Sequence, residues 1–209
     1  MALIALALIP VVAGSARLVE LSGGPTVLPE NPRIDANPLP VVAHIISAIG
    51  FALLSACQFS TRLRRRHPRW HRVSGQVLVM LGLVVALSAL WMTQFYAHPE
   101  DTGLLLYLFR LTFGAGMAAC IVAGIAAIRQ RDIDQHSAWM TRAYALALGA
   151  GTQVFTQGFG EALLGTQTLT RDLLLGSAWL INLAVAEYVI RRARPVRAKR
   201  PTTSTAGLS

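Results

Sequence analysis

Five histidines, His44, His67, His71, His98 and His136, supply most of the coordination chemistry this chain can offer. Neutral imidazole is a good ligand for haem iron. His71 and His136 stand beside blocks of arginine, whereas His44 and His98 stand at the opposite ends of their apolar segments. That spacing yields two pairs, His71 with His136 and His44 with His98, each suited to hold a haem b iron between two imidazoles. A lone histidine at a membrane interface more commonly bonds a lipid headgroup, so haem is one of two readings.

Arg110 and Arg142 form a second group of candidates. A charge at membrane depth is costly and marks a functional position by default. Arg110 falls about 10 Å into its helix at 1.5 Å per residue. Both arginines are read as lipid- or anion-binding residues, since a guanidinium suits a phosphate headgroup. Snorkelling would equally explain Arg110, and a topology charge would explain Arg142. Glu187 and Arg191, four residues apart near the end of the last apolar run, read as a structural ion pair. Gln58, Gln153 and Asn182 read as hydrogen-bond partners between helices. No P-loop, nucleophile elbow, His-Glu-x-x-His or dinucleotide fingerprint occurs, so catalytic residues are unassigned. Cys57 and Cys120 lie in apolar segments, without metal-ligand spacing.

The elements that must position these residues follow from composition. Of 209 residues, 54% are hydrophobic and only 14% charged, yet the net charge is +9. Soluble domains carry about 25% charged residues. So few charges with such an imbalance exclude a disordered polyelectrolyte and argue against a soluble enzyme. Runs free of Asp, Glu, Lys and Arg cover 1–16, 36–61, 73–99, 111–128 and 143–160, and a sixth covers 173–190 across Glu187. A membrane-spanning helix needs about 17–25 such residues, and none of the runs alternates like a barrel strand. The expectation is an all-α polytopic bundle of six transmembrane helices over residues 1–192. The second to fifth helices form a possible four-helix core, and 193–209 is a basic, then polar, disordered tail. The first run lacks a basic n-region and five more follow, so it reads as a helix rather than a signal peptide.

The basic residues alternate by connection. Arg62 to Arg72, Arg129 with Arg131, and Arg191 to Arg200 are basic, while the intervening connections are poor in Arg and Lys. The positive-inside rule then places both termini in the cytoplasm. The basic segments would face the anionic inner leaflet. No aromatic platform or recognition module accompanies them, so nucleic acid is not an expected partner. Small residues at Gly116, Cys120 and Gly124, and at Ala143, Ala147 and Gly151, favour close helix packing. Such ridges would serve packing inside one bundle or contact with a membrane-protein partner.

Several segments carry a resemblance. They are Pro40 to Ile45 (PVVAHI) leading to Gln58-Phe59, Arg64 to Gly75 (RRRHPRWHRVSG), and Arg131 to Leu146 (RDIDQHSAWMTRAYAL). Ser88 to Met92 and Ile181 to Glu187 fit the same pattern. Together they resemble DUF2306, a family of predicted bacterial membrane proteins of unknown function, over nearly the whole chain. The resemblance implies a polytopic membrane protein and supplies no activity. A four-helix core with interfacial histidines also resembles cytochrome b561-type electron carriers. Those place a histidine on each of four consecutive helices, whereas the fourth run here has none, so their two-haem assignment does not transfer. The leading functional expectation is haem- or quinone-linked electron transfer. Transport or lipid handling, and an accessory role in a larger membrane complex, are the alternatives.

Overall fold

The computed structural model describes residues 2–29, 31–58, 61–97 and 102–193. His98 lies outside the described residues, as does the predicted tail apart from Ala193. Among the described residues the only regular secondary structure is helix, in the order α1 (Ala2–Leu21), α2 (Pro32–Ala36), α3 (Leu39–Gln58), α4 (Thr61–Arg66), α5 (Pro68–Phe95), α6 (Leu104–Arg129), α7 (Ile133–Ala147), α8 (Gly149–Leu164) and α9 (Thr168–Ala193). The expected all-α class holds.

Local chemistry sets the ends. Pro32 and Pro68 open α2 and α5, where the missing N–H has no intrahelical partner to lose. The Asp132 carboxylate accepts the Gln135 N–H at 2.9 Å and so starts α7. Just before it, Arg131 adopts φ +62°, the left-handed turn that stops α6. Gly165 ends α8 at φ +84°, a conformation that suits a residue without Cβ.

Three helices, α5, α6 and α9, are long and apolar enough to cross a membrane by length and composition, and α3 contributes a shorter apolar stretch, Leu39–Ser55. The single helix expected over 143–160 is instead two. α7 stops at Ala147 and α8 starts at Gly149, with Leu148 a turn between them. Gly149 and Gly151 follow this break directly, and paired glycines are a recognised cause of kinks. The expectation of one continuous helix over this run is therefore corrected.

The helices close into a ring. α1 packs on α3, α3 on α5, α5 on α6, α6 on α7 and α9, α9 on α8, and α8 back on α1. The succession α3, α5, α6, α7 takes in the second to fourth expected helices but only the first part of the fifth, whose run 143–160 falls mostly in α8. Phe51, Leu78, Ile121 and Tyr144, one from each of these helices, meet in a common buried cluster that also takes in Ala7 of α1. The small-residue ridge of α6 lies inside the bundle, where Gly124 meets Met140 and Trp139 of α7 and Gly116 meets Leu146. Large apolar side chains such as Leu53, Met80, Leu87, Val122, Phe159 and Val185 remain on the outside, the distribution of a protein solvated by lipid.

The connections α3–α5 and α6–α7 and the last turn of α9 hold the arginine blocks, and this side is termed the basic end. The connections α1–α3, α5–α6 and α8–α9 form the far end.

Candidate functional site

Among α1, α2, α3, α5, α6, α7, α8 and α9 lies a cavity of about 460 Å³, within the size range of small-molecule sites. Its walls are mainly apolar. Phe51, Met117 and Tyr144 line its deeper part, and Ala7, Pro10 and Val11 of α1 close one side. The polar lining gathers toward the far end, with Asn31 just before α2, Arg33 of α2, His44 of α3, Thr93 and Tyr96 at the end of α5, and Arg110 of α6. Gln153 of α8 adds a further polar group.

Several of these groups are fixed by identifiable bonds. His44 Nδ1 lies 3.1 Å from the Val85 carbonyl oxygen and 3.0 Å from Ser88 Oγ. A carbonyl only accepts, so Nδ1 carries the proton and Nε2 is left as the acceptor. Arg33 Nε donates to Asn31 Oδ1 at 2.9 Å, and its terminal nitrogen donates to the Ala97 carbonyl at 3.5 Å. The Tyr96 hydroxyl donates to the Asn37 carbonyl at 2.6 Å. These bonds hold α2 across the far end of the cavity. Gln153 Nε2 donates to the Leu175 carbonyl at 3.2 Å.

The break at Leu148 belongs to the same wall, because Leu146, Ala147, Leu148 and Ala150 all line the cavity. Asn182 of α9 spans the break. Its amide N–H donates to the Ala145 carbonyl at 3.1 Å, and its Oδ1 accepts from Thr152 Oγ1 at 2.9 Å. Trp179 lies against Gly149, where any Cβ would collide with the indole, and stacks on Phe113 at 5.0 Å between ring centroids. On the opposite side, a Cβ on Gly151 would strike the Leu6 carbonyl. Only glycine lets the α1 and α8 backbones approach this closely.

Arg142 lies toward the basic end and is occupied. Its guanidinium donates to both Glu187 oxygens, at 2.5 and 3.1 Å, and stacks 4.6 Å above the Trp139 ring. Fork-to-carboxylate geometry of this kind is strong and directional. The Glu187–Arg142 link joins α7 to α9, a pairing that the sequence reading did not make.

The remaining histidines divide. His71, in the first turn of α5, and His136, in the first turn of α7, come within electrostatic reach of one another, and Arg64 of α4 is also near His71. His136 Nδ1 meets the Gly124 carbonyl at 2.8 Å, which again fixes the proton on Nδ1. Gln58 Nε2 donates to the His71 carbonyl at 3.0 Å and to Ser74 Oγ at 2.8 Å, tying α3 to α5. Gln58, Gln153 and Asn182 thus all bond between helices, as expected. His44 sits in the cavity, apart from the other two histidines. Among the described residues, no group of three or more His, Cys, Asp or Glu side chains is placed to hold a metal ion.

His44 and Arg110, both singled out in the sequence, line the cavity, as do Arg33 and Tyr96, which were not. A signal for Arg33 exists, since it is one of few arginines in the poorly basic connections.

Residues 41–190 match the family model DUF2306, described as a predicted membrane protein. No curated protein and no solved structure matches the chain. The match begins within α3, so α1 and α2, which close the cavity, lie before it.

Proposed function

This chain belongs to the DUF2306 family of predicted membrane proteins, and we propose on that footing that it binds an amphipathic, membrane-soluble small molecule in the cavity between its helices. The cavity itself carries the reading. Apolar walls with a few convergent polar groups are the usual form of such a site, and here the polar groups lie where the helices end. Lipid handling and quinone binding both fall within this class.

In this reading six segments cross the bacterial cytoplasmic membrane with both termini inside. The basic end meets the anionic inner leaflet, and the cavity opens toward the outer leaflet. The broken α7–α8 helix supports it, because non-helical backbone at membrane depth is tolerated where it lines a cavity.

The test is extraction. Protein purified in mild detergent is extracted with organic solvent and the extract analysed by mass spectrometry, beside an Ala48→Phe variant that fills the cavity. An amphiphile recovered near one per chain from the native protein, and lost from the variant, is the expected result. Identical extracts from both proteins would refute the reading.

A second reading, electron transfer through haem b, is supported by the tautomers of His44 and His136. Each gives its Nδ1 proton to a carbonyl and presents Nε2, the arrangement that orients imidazole toward a metal. His71 and His136 are the residues that would hold the iron, and haem would supply one-electron chemistry. An absorption spectrum of oxidised and reduced protein from haem-replete cells tests it. A colourless preparation would eliminate it.

A further inference from the structure

We propose that the cavity selects a neutral amphiphile headed by a hydroxyl group, which donates a hydrogen bond to Nε2 of His44. This deepens the binding reading above and rests on it.

The first observation is the way α5 holds the imidazole. His44 Nδ1 gives its proton to the Val85 carbonyl. Ser88 Oγ, the other neighbour of Nδ1, spends its own proton on the Val84 or Val85 carbonyl, at 2.5 and 3.1 Å. Toward the imidazole it can therefore only accept. Both contacts fix the ring from one side and leave the Nε2 lone pair as an acceptor. No described residue bonds to Nε2. Since His44 lines the cavity, that lone pair is what it offers a ligand, and a ring fixed in advance loses little freedom on binding.

The second observation is that the neighbouring hydroxyls are committed in the same way. Thr93 Oγ1 donates to the Ala89 carbonyl at 2.8 Å, and the Tyr96 hydroxyl to the Asn37 carbonyl at 2.6 Å. Each has spent its one proton on the backbone. Arg33 and Arg110 are themselves engaged within the protein. The imidazole and both hydroxyls thus meet a ligand as acceptors, and the ligand must bring the donor. A ketone, ester or ether head would set acceptor against acceptor and leave buried polar atoms unpaired, which is how such sites reject a ligand that lacks the proton.

The third observation concerns charge and position. No Asp or Glu occurs among the described lining residues, so an ammonium donor would be buried without a counter-charge, at high cost. A hydroxyl brings the donor without the charge. His44 lies about 7.5 Å from the start of α3, while Phe51, Ala86 and Met117 line the cavity at mid-helix positions. The hydroxyl therefore sits toward the far end, with the apolar body of the ligand directed to the middle of the bundle.

An aliphatic alcohol and a phenol share this chemistry, and the experiment separates them. The full chain in detergent is titrated under argon with dioleoylglycerol, its methyl ether, a short-chain ubiquinol or its dimethyl ether, and followed by native mass spectrometry. At least one free hydroxyl compound should bind ten-fold or more tightly than its own ether. Preference within the glycerol pair identifies an alcohol site, and within the quinol pair a phenol site. His44→Asn keeps an amide N–H for the Val85 carbonyl but places nothing where Nε2 was. It should lower the preference at least five-fold by weakening only the free hydroxyl compound. Equal binding of hydroxyl and ether by the native protein, or an unchanged preference in His44→Asn, overturns the donor selection and leaves the cavity reading standing. If His44→Asn does not fold, His44→Phe takes its place, and the ligand pairs on the native protein need no variant. Failure of all four to bind also overturns the proposal, whereas the cavity reading falls only if the extraction test above fails as well.

Discussion

The carboxylate of Asp172, in α9, accepts the backbone N–H of Leu106 at 3.1 Å and of Gly103 at 3.3 Å, and so caps the first turn of α6 from a neighbouring helix. Asp172 is only 2% exposed. A buried carboxylate at this position satisfies N–H groups that the helix cannot and meets the positive end of its dipole.

Asp172→Ala should therefore destabilise the protein by about 1–2 kcal/mol, the cost of a lost cap. In a chain of this length that is roughly 2–8 °C in Tm. Asp172→Asn retains an acceptor oxygen and should lose less. Thermal unfolding in detergent reads both. Equal losses would show that the charge, not the acceptor, is what the cap requires.

Removing one side of the Arg142–Glu187 pair should cost about 1.5–3 kcal/mol, as for other hydrogen bonds between charged groups. Arg142→Lys keeps the charge but not the two-pronged geometry or the stacking on Trp139, so it should fall between wild type and Arg142→Ala. A double-mutant cycle with Glu187→Gln measures the coupling. A coupling near zero would contradict the pairing.

Two glycines of α8 should respond in opposite directions. Gly151→Ala drives a methyl into the Leu6 carbonyl, which should separate α1 from α8 and raise hydrogen exchange in α1. Nothing lies within 4 Å of a Cβ built on Gly158. Gly158→Ala should be neutral, or stabilising by about 0.5–1 kcal/mol from helix propensity.

The far end and the basic end should be reached from opposite sides of the membrane. In a background with Cys57 and Cys120 replaced by serine, Ser22→Cys and Thr166→Cys should react with an impermeant thiol reagent in intact cells. Thr61→Cys and Gln130→Cys should react only after permeabilisation. Labelling of all four in intact cells would reject the proposed topology.

Much of the fold was legible because lipid imposes a coarse signal. A helix in hydrocarbon must be apolar over its length, and that is visible in any window of residues. The break at Leu148 was not legible. A single turn residue leaves hydropathy unchanged, and its surroundings, Trp179 against Gly149 and Asn182 across the gap, come from a helix 30 or more residues away. Distance in sequence also hid the Arg142–Glu187 pair, where the nearer Arg191 offered itself as the partner, and the Asp172 cap. His44 stood out as a polar residue inside an apolar run, and Arg110 as a charge bordering one. Arg33 did not, because an arginine in a connection is ordinary until the connection is found folded over a cavity.

The contact of Leu6 with Gly151 also bears on how the protein is made. α1 emerges from the ribosome first, yet one of its two principal neighbours follows some 145 residues later. At roughly 5–20 residues per second, the wall between them stays unsealed for roughly 7–30 s of synthesis. During that interval the nascent bundle presents its interior sideways to the surrounding bilayer, and the seam of α1 with α8 is among the last to shut.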